Sequence, residues 1–182
     1  EIRRALTAEG YVFQSDTDTE VIAHLAHKHL ALGMSLLPAV QATVKKLEGA
    51  FAIAVICNTA PLTNGASKKG APLLVGHGEG EFFLASDASA LVAYTKQITY
   101  LEESDVVQLQ TTGVSFFDGA GQFISGKFNF LSNNQTGKYF YGFFFKFLKP
   151  FYGNSAKFVI GFLNKYIVCF YGNDGVVYNI LD

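Results

Sequence analysis

The stretch AFAIAVI, Ala50 to Ile56, sets large and small side chains in strict alternation. Phe51, Ile53 and Val55 fall on one face and Ala50, Ala52 and Ala54 on the other. A period of two marks a β-strand, because successive side chains of a strand point to opposite faces. Neither face carries a charge, so this strand is expected to be buried on both sides.

The elements around it extend the pattern. Upstream, Leu37, Val40, Val44 and Leu47 recur at helical spacing, with Ser35 as the expected cap, Pro38 tolerated in the first turn and Gly49 as the stop. An earlier helix carries Val21, Ile22, Leu25 and Leu32 on its apolar face and ends at Gly33. Thr17 and Glu20 have the T-x-x-E spacing of a capping box, which predicts reciprocal side-chain bonds between them and puts Asp18 in the first turn, where the helix terminus favours a carboxylate. Residues 1 to 9 read as the end of a helix stopped by Gly10, and Tyr11 to Phe13 has strand composition. Downstream, strands are expected at Leu73 to Val75, Glu81 to Ala85, Ile98 to Leu101, Asp105 to Gln110 and Val114 to Phe117. A short helix from Asp87 to Ala93, started by Ser86, interrupts them. Helices followed by antiparallel strands argue an α+β fold with helices layered on sheet.

The chain has 182 residues, 49% of them hydrophobic, enough for one domain with a sizeable core. Fourteen Lys and Arg against fifteen Asp and Glu give a net charge of -1 and no field to gather phosphate backbones or anionic lipid, so neither nucleic acid nor membrane is an expected partner. Cys57 and Cys169 are far apart and show no metal-ligand spacing, which fits a reducing cytoplasm. The chain opens on Glu1 without a signal-like segment, and a start other than Met reads as a fragment or a processed product.

Composition changes after Gly126. Lys127 to Asp182 holds eleven of the 18 Phe and six of the 9 Tyr and has no Glu, and runs such as YFYGFFFKFL fit neither period. Phe, Tyr, Lys, Asn and Ile are the residues of AT-rich codons, so one reading of 126–182 is translated intron, frameshifted or intergenic sequence. The other is a genuine aromatic-rich extension that packs on the domain.

Candidate chemistry is sparse. Asp16, Asp18 and Glu20 could bind a metal or an ammonium, although acids in a first helical turn are ordinary capping chemistry. His24, His27 and His29 lack the acid of a zinc-helix motif and read as a solvated or partly packed helix face. GHGEGE, Gly76 to Glu81, resembles a phosphate-binding glycine loop, but it joins two strands and so predicts a hairpin turn. Cys57 follows a buried strand and is expected to be an inert thiol. No cofactor is indicated.

Four blocks, in this order and spacing, go further: SDTDTEVIAHL (Ser15 to Leu25), LEGAFAIAVI (Leu47 to Ile56), GAPLLVGHGEGEFFLASDASAL (Gly70 to Leu91) and YLEESDVVQL (Tyr100 to Leu109). Together they resemble the glutamine amidotransferase domain of the glucosamine-6-phosphate synthases, the isomerising glutamine:fructose-6-phosphate aminotransferases, over residues 1–125 and about the second half of that domain. The sister amidophosphoribosyltransferases resemble the S/D-rich helix start and the L-x-G-A-[FY] strand, but LASDASAL and YLEESDVV look more like the synthases. The resemblance implies an N-terminal-nucleophile hydrolase fold, a four-layer αββα sandwich. It implies glutamine hydrolysis by an N-terminal cysteine, and transfer of the ammonia to fructose 6-phosphate on an isomerase domain of a homo-oligomeric parent. It implies that Asp18 holds the α-amino group of bound glutamine.

The departures from the family shape the expectation. Its nucleophile, Asn-Gly oxyanion pair and arginine-bearing loops would precede Glu1, no isomerase domain follows, and Gly70-Ala71-Pro72-Leu73 stands where Gly-Ser-Pro-Leu is usual. The chain by itself is therefore expected to be inactive, as an isolated piece of a synthase or as a remnant acting as a binding module.

Overall fold

The computed structural model describes residues 1–17, 19–57, 60 and 63–127, and beyond these the backbone of strands at 129–130, 144–148, 166–172 and 175–181. Three helices come first: α1 (Ile2–Ala8), α2 (Glu20–Ala31) and α3 (Leu36–Val44). The first two end in the same device. Gly10, at φ +96, and Gly33, at φ +88, take the left-handed setting that a glycine adopts without Cβ strain. Gly10 and Tyr11 then donate to the carbonyls of Thr7 and Leu6, each at 3.0 Å, and Gly33 and Met34 donate to those of Leu30 and His29, at 2.9 and 3.2 Å. Tyr11 to Phe13 is not a strand. It runs without ladder partners between α1 and a turn, and the N–H groups that follow it are taken up by a side chain of α2. Leu32, expected on the apolar face of α2, caps the helix end and is 70% exposed. The third helix stops at Val44 rather than near Gly49, which instead bends the chain into the first strand at φ +83.

The strands are β1 (Phe51–Cys57), β2 (Thr63–Lys69), β3 (Leu74–His77), β4 (Glu81–Ala85), β5 (Gln97–Tyr100), β6 (Val106–Gln110), β7 (Gly113–Phe117), β8 (Phe123–Ile124), β9 (Asn129–Phe130), β10 (Phe144–Leu148), β11 (Tyr166–Gly172) and β12 (Gly175–Leu181). They form two sheets, ordered β12-β11-β1-β2-β6-β7-β8 and β10-β4-β3-β5-β9. Every pairing is antiparallel except β1 with β11, where Val55 stands opposite Cys169.

Side-chain parity then fixes the layers. Ile53, Val55 and Cys57 of β1 pack with Val106 against Ile22 and Ala23 of α2 and Leu36 and Val40 of α3. The opposite face of the same strand, Ala52 and Ala54, joins Ala66, Val107, Leu109 and Phe116 against Leu73, Val75, Leu84 and Leu101 of the other sheet. The outer face of that second sheet, Leu74, Phe83, Ala85 and Ile98, is covered by Leu91. The order is helix, sheet, sheet, cover, so the doubly buried strand read from AFAIAVI sits where both of its faces require. The small residues of β1 let the two sheets approach, and the large ones fill the space beneath the helices.

The fourth layer is slighter than expected. Instead of a helix from Asp87 to Ala93 there is a single 3-10 turn, Ala88–Ala90, whose cap is Asp87 rather than Ser86. The Asp87 carboxylate accepts from the Ser89 N–H at 2.7 Å.

Strand β2 escaped the sequence reading because TNGASKK has no alternation of large apolar residues. It lies inside its sheet, between β1 and β6, and uses smallness instead. Ala66 faces the other sheet, while Gly65 lies under α3, where an added Cβ would sit 2.8 Å from Cγ2 of Val40. Gly65→Ala is expected to destabilise the fold by about 1–3 kcal/mol through overpacking. Val40→Ala in the same chain should recover part of that loss in a double-mutant cycle read by urea unfolding. Strict additivity would contradict the contact.

Candidate functional site

The polar stretch ahead of α2 gathers around one buried carboxylate. Glu20 is the first residue of α2 and is 1% exposed. The predicted capping box does not form: the cap is Thr19, which makes no side-chain bond to the helix, and the Glu20 carboxylate reaches past Thr17. It accepts from the N–H of Gln14 at 2.7 Å, the N–H of Ser15 at 2.8 Å and the Ser15 hydroxyl at 2.6 Å. His24 Nε2 stands 3.4 Å away, one helical turn on. Four donors occupy the oxygens of one carboxylate, about the number its lone pairs accommodate. This arrangement orders backbone and leaves no acceptor position for a proton in transit.

A cation closes the turn from the other side. Arg3, on α1, donates to the Ser15 carbonyl at 2.8 Å and to the Thr17 carbonyl, while its guanidinium lies 4.3 Å from the ring centroid of Phe13. The Ser15 and Thr17 hydroxyls are 2.7 Å apart. The sequence placed Arg3 only in a helix, and no local motif signals a reach of twelve to fourteen residues.

Of the three acids grouped by spacing, Asp16 is exposed, Glu20 is buried, and Asp18 lies outside the described residues. No group of three or more His, Cys, Asp or Glu among the described residues could hold a metal ion. The histidines are less solvated than expected: His24 and His29 are buried, and His27 is half-buried. His24 packs edge-on against Phe13 and Tyr11, with centroids at 4.5 and 5.1 Å, and His27 Nδ1 is 3.1 Å from the Tyr11 hydroxyl. Neither ring nitrogen of His29 has a hydrogen-bond partner among the described residues.

Burial sets the electrostatics. Burial acts to raise the Glu20 pKa, but the hydrogen bonds from Ser15, Gln14 and His24 outweigh it, and the net shift is downward. His24, His27, His29 and His77 are all held below their ordinary value, in each case chiefly by burial. The folded chain therefore binds fewer protons than the unfolded chain once the pH falls below the unfolded histidine value of about 6.5. Stability should be full above that pH and decline as the pH drops through it, with a further loss below the ordinary carboxylate range as Glu20 is protonated. Urea midpoints at pH 7.5, 6 and 5 should fall in that order; a flat or rising series would contradict the burial of these rings.

The remaining candidates resolve as structure. GHGEGE is a hairpin: Gly76 and His77 close β3, Gly78 N–H donates to the Glu81 carbonyl at 2.9 Å, and Gly80 turns at φ +71. Cys57 is 1% exposed beneath the helices, unsuited to attack a substrate. Ala71, in the place of the family's usual serine, packs against the core between the sheets. No helix among the described residues is long and apolar enough to cross a membrane.

A family model described as a glutamine amidotransferase domain matches residues 1–93. The glutamine--fructose-6-phosphate aminotransferase (isomerizing) of Xanthomonas campestris pv. campestris is 51% identical over 120 residues, covering 66% of this chain and 20% of that protein. The enzyme of the same name from Bordetella pertussis is 51% identical over 127 residues, 70% of this chain and 20% of its own. That from Vibrio vulnificus is 46% identical over 121 residues, 66% and 20%. The chain thus spans about one fifth of the length of these curated relatives. Among solved structures, the glutamine phosphoribosylpyrophosphate amidotransferase of B. subtilis superposes with a TM-score of 0.55 at 20% identity, covering 67% of this chain and 27% of that one, a likeness of fold.

Proposed function

Because this chain belongs to the glutamine amidotransferase domain family, we propose that it supplies part of the glutamine-hydrolysing domain of an isomerising glutamine:fructose-6-phosphate aminotransferase. In that parent, glutamine would be hydrolysed and its ammonia passed to fructose 6-phosphate to give glucosamine 6-phosphate, in a cytoplasmic homo-oligomer. The observation that carries the reading is the identity of 46–51% to relatives of that name over 120 residues or more. The B. subtilis amidotransferase shares the fold at 20% identity and gives the alternative substrate no comparable support. The amidotransferase segment is taken as 1–125 and the segment 126–182 as foreign to the family; a transcript read across Gly126 tests that division, and an uninterrupted frame would count against it.

Within the domain, the role of this chain is to hold the substrate's amino acid end. Asp18 is assigned the α-ammonium of glutamine, through a charge-assisted hydrogen bond. Among the described residues no amidotransferase nucleophile is presented: Cys57 is buried, and catalysis by this family needs an activated thiol and oxyanion donors. Titrating the isotopically labelled chain with L-glutamine should move the amide signals of residues 14–20, with an affinity in the millimolar range, about -4 kcal/mol. No glutamate should accumulate. Asp18→Asn should abolish the shifts, and shifts that persist in Asp18→Asn would overturn the assignment.

A further inference from the structure

We propose that His29 is an acid-sensitive latch: neutral, it lets the last turn of α2 close into the fold, and protonated, it releases that turn together with the bend into α3. His29 is 6% exposed, and neither ring nitrogen has a hydrogen-bond partner among the described residues. A neutral imidazole carries one donor and one acceptor, and both are left unmade here. A further proton turns both nitrogens into donors, in a site that offers no acceptor for either. Position along the helix explains the burial. Ile22, Ala26 and His29 follow one another at spacings of four and three, so the ring continues the buried face on which Ile22 and Ala23 pack with Leu36 and Val40 of α3.

No acid stands ready to neutralise a charge on this ring. The charged groups that act on it are Lys46 and Lys28, and both oppose a proton. Of the elements packed on α2, α1 brings Arg3 and Arg4, α3 brings no titratable residue before Lys45 and Lys46, β1 brings only Cys57 and β12 only Tyr178. Glu9, past the end of α1, is taken by Lys28, Glu20 sits at the far end of α2 on Ser15, and Glu48 is exposed. His24 and His27 of α2 itself meet Phe13 and Tyr11.

The neighbouring backbone decides what gives way. The His29 carbonyl accepts from the Met34 N–H at 3.2 Å, and the Leu30 carbonyl from that of Gly33 at 2.9 Å. Leu32 and Met34 are exposed, and Ser35 caps α3 without a side-chain bond, so the corner is held by few contacts and can open apart from the rest. Once open, the ring regains the ordinary histidine value of about 6.5. The closed corner is therefore fully stable above that pH and loses stability as the pH falls through it.

The test uses the full chain, wild type and His29→Leu, which fills the site without a titratable group. Amide exchange at Gly33 and Met34, corrected for intrinsic rate, reads the opening of the corner, and exchange at Val107, between the sheets, reads global unfolding. From pH 7.5 to 5.5 the opening constant at Gly33 and Met34 should rise about fivefold to tenfold in wild type and less than about twofold in His29→Leu. Val107 should keep its own acid dependence in both chains, because His24, His27 and His77 remain. An equal rise at Gly33 and Met34 in the two chains would overturn the proposal. So would exchange at Gly33 and Met34 that matches Val107 at every pH, since the opening would then be global. Should His29→Leu not fold, the imidazole nitrogen signals of wild type decide. A His29 ring that stays neutral below pH 6.5 and gains its proton in step with the opening at Gly33 supports the latch; one that titrates at about 6.5 with both amides still closed contradicts it.

Discussion

Phe83→Ala is expected to cost about 3–5 kcal/mol, the full range for removing a large ring from a packed core. Phe83 is 0% exposed and anchors the outer face of the second sheet, with Leu74, Ala85, Leu91 and Ile98 around it. The fourth layer is thin there, one 3-10 turn with Leu91 and the Tyr94 ring, 5.6 Å from that of Phe83 between centroids, so few side chains can move in to fill the space. The neighbouring glycines cannot fill it either. A Cβ on Gly78 would come 2.8 Å from Glu81 Cγ and 2.9 Å from Phe83 Cε2, and one on Gly76 would come 2.8 Å from Leu91 Cδ1 and 3.0 Å from Thr95 Cγ2, so neither position has room for a side chain. The value should fall in the upper half of the range. A loss below about 1 kcal/mol by urea unfolding would mean that the outer layer is not packed as described.

Glu20→Val should cost about 2–4 kcal/mol, an unusual penalty for removing an acid from a helix start. Valine is close to neutral as a change of burial, but the three close donors lose their acceptor at once and His24 loses its longer contact, and an unsatisfied buried donor costs about 1–3 kcal/mol. Gln14 is exposed and water can replace its bond, which keeps the sum below three full penalties. Asp16→Ala, four residues earlier and exposed, is the control and should stay within about 0.5 kcal/mol of wild type. Equal effects at the two positions would show that Glu20 acts only as a charge at the helix end.

The two cases mark what the sequence made legible. AFAIAVI was readable because a strand buried on both faces writes its parity directly into side-chain size, and the Ala face and the Ile/Val face each found the layer that parity requires. Gly10 and Gly33 were readable because a left-handed residue after a helix is nearly always glycine. Strand β2 was not, since its positions are fixed by how closely α3 and the second sheet approach, information held in Val40 and Val75 rather than in TNGASKK itself. Tyr11 to Phe13 has strand residues but serves as a wall for His24 and Arg3. The stretch before α2 was legible as a polar helix start, but its wiring was misassigned. Thr17 and Glu20 have capping-box spacing, yet the carboxylate accepts from Gln14 and Ser15 of the preceding turn, whose Ser15 carbonyl is held by Arg3 of α1. Spacing along the chain cannot anticipate how a turn braced from another helix will present its N–H groups.

The proposed role of Asp18, ahead of α2, is to hold the ammonium of glutamine. Calorimetric titration of the 182-residue chain with L-glutamine and with 4-carbamoylbutanoate tests it most directly. A preference of tenfold or more for the compound that carries the amino group, about 1.4 kcal/mol, is the predicted result. Equal binding of the two, or binding of neither, would contradict it.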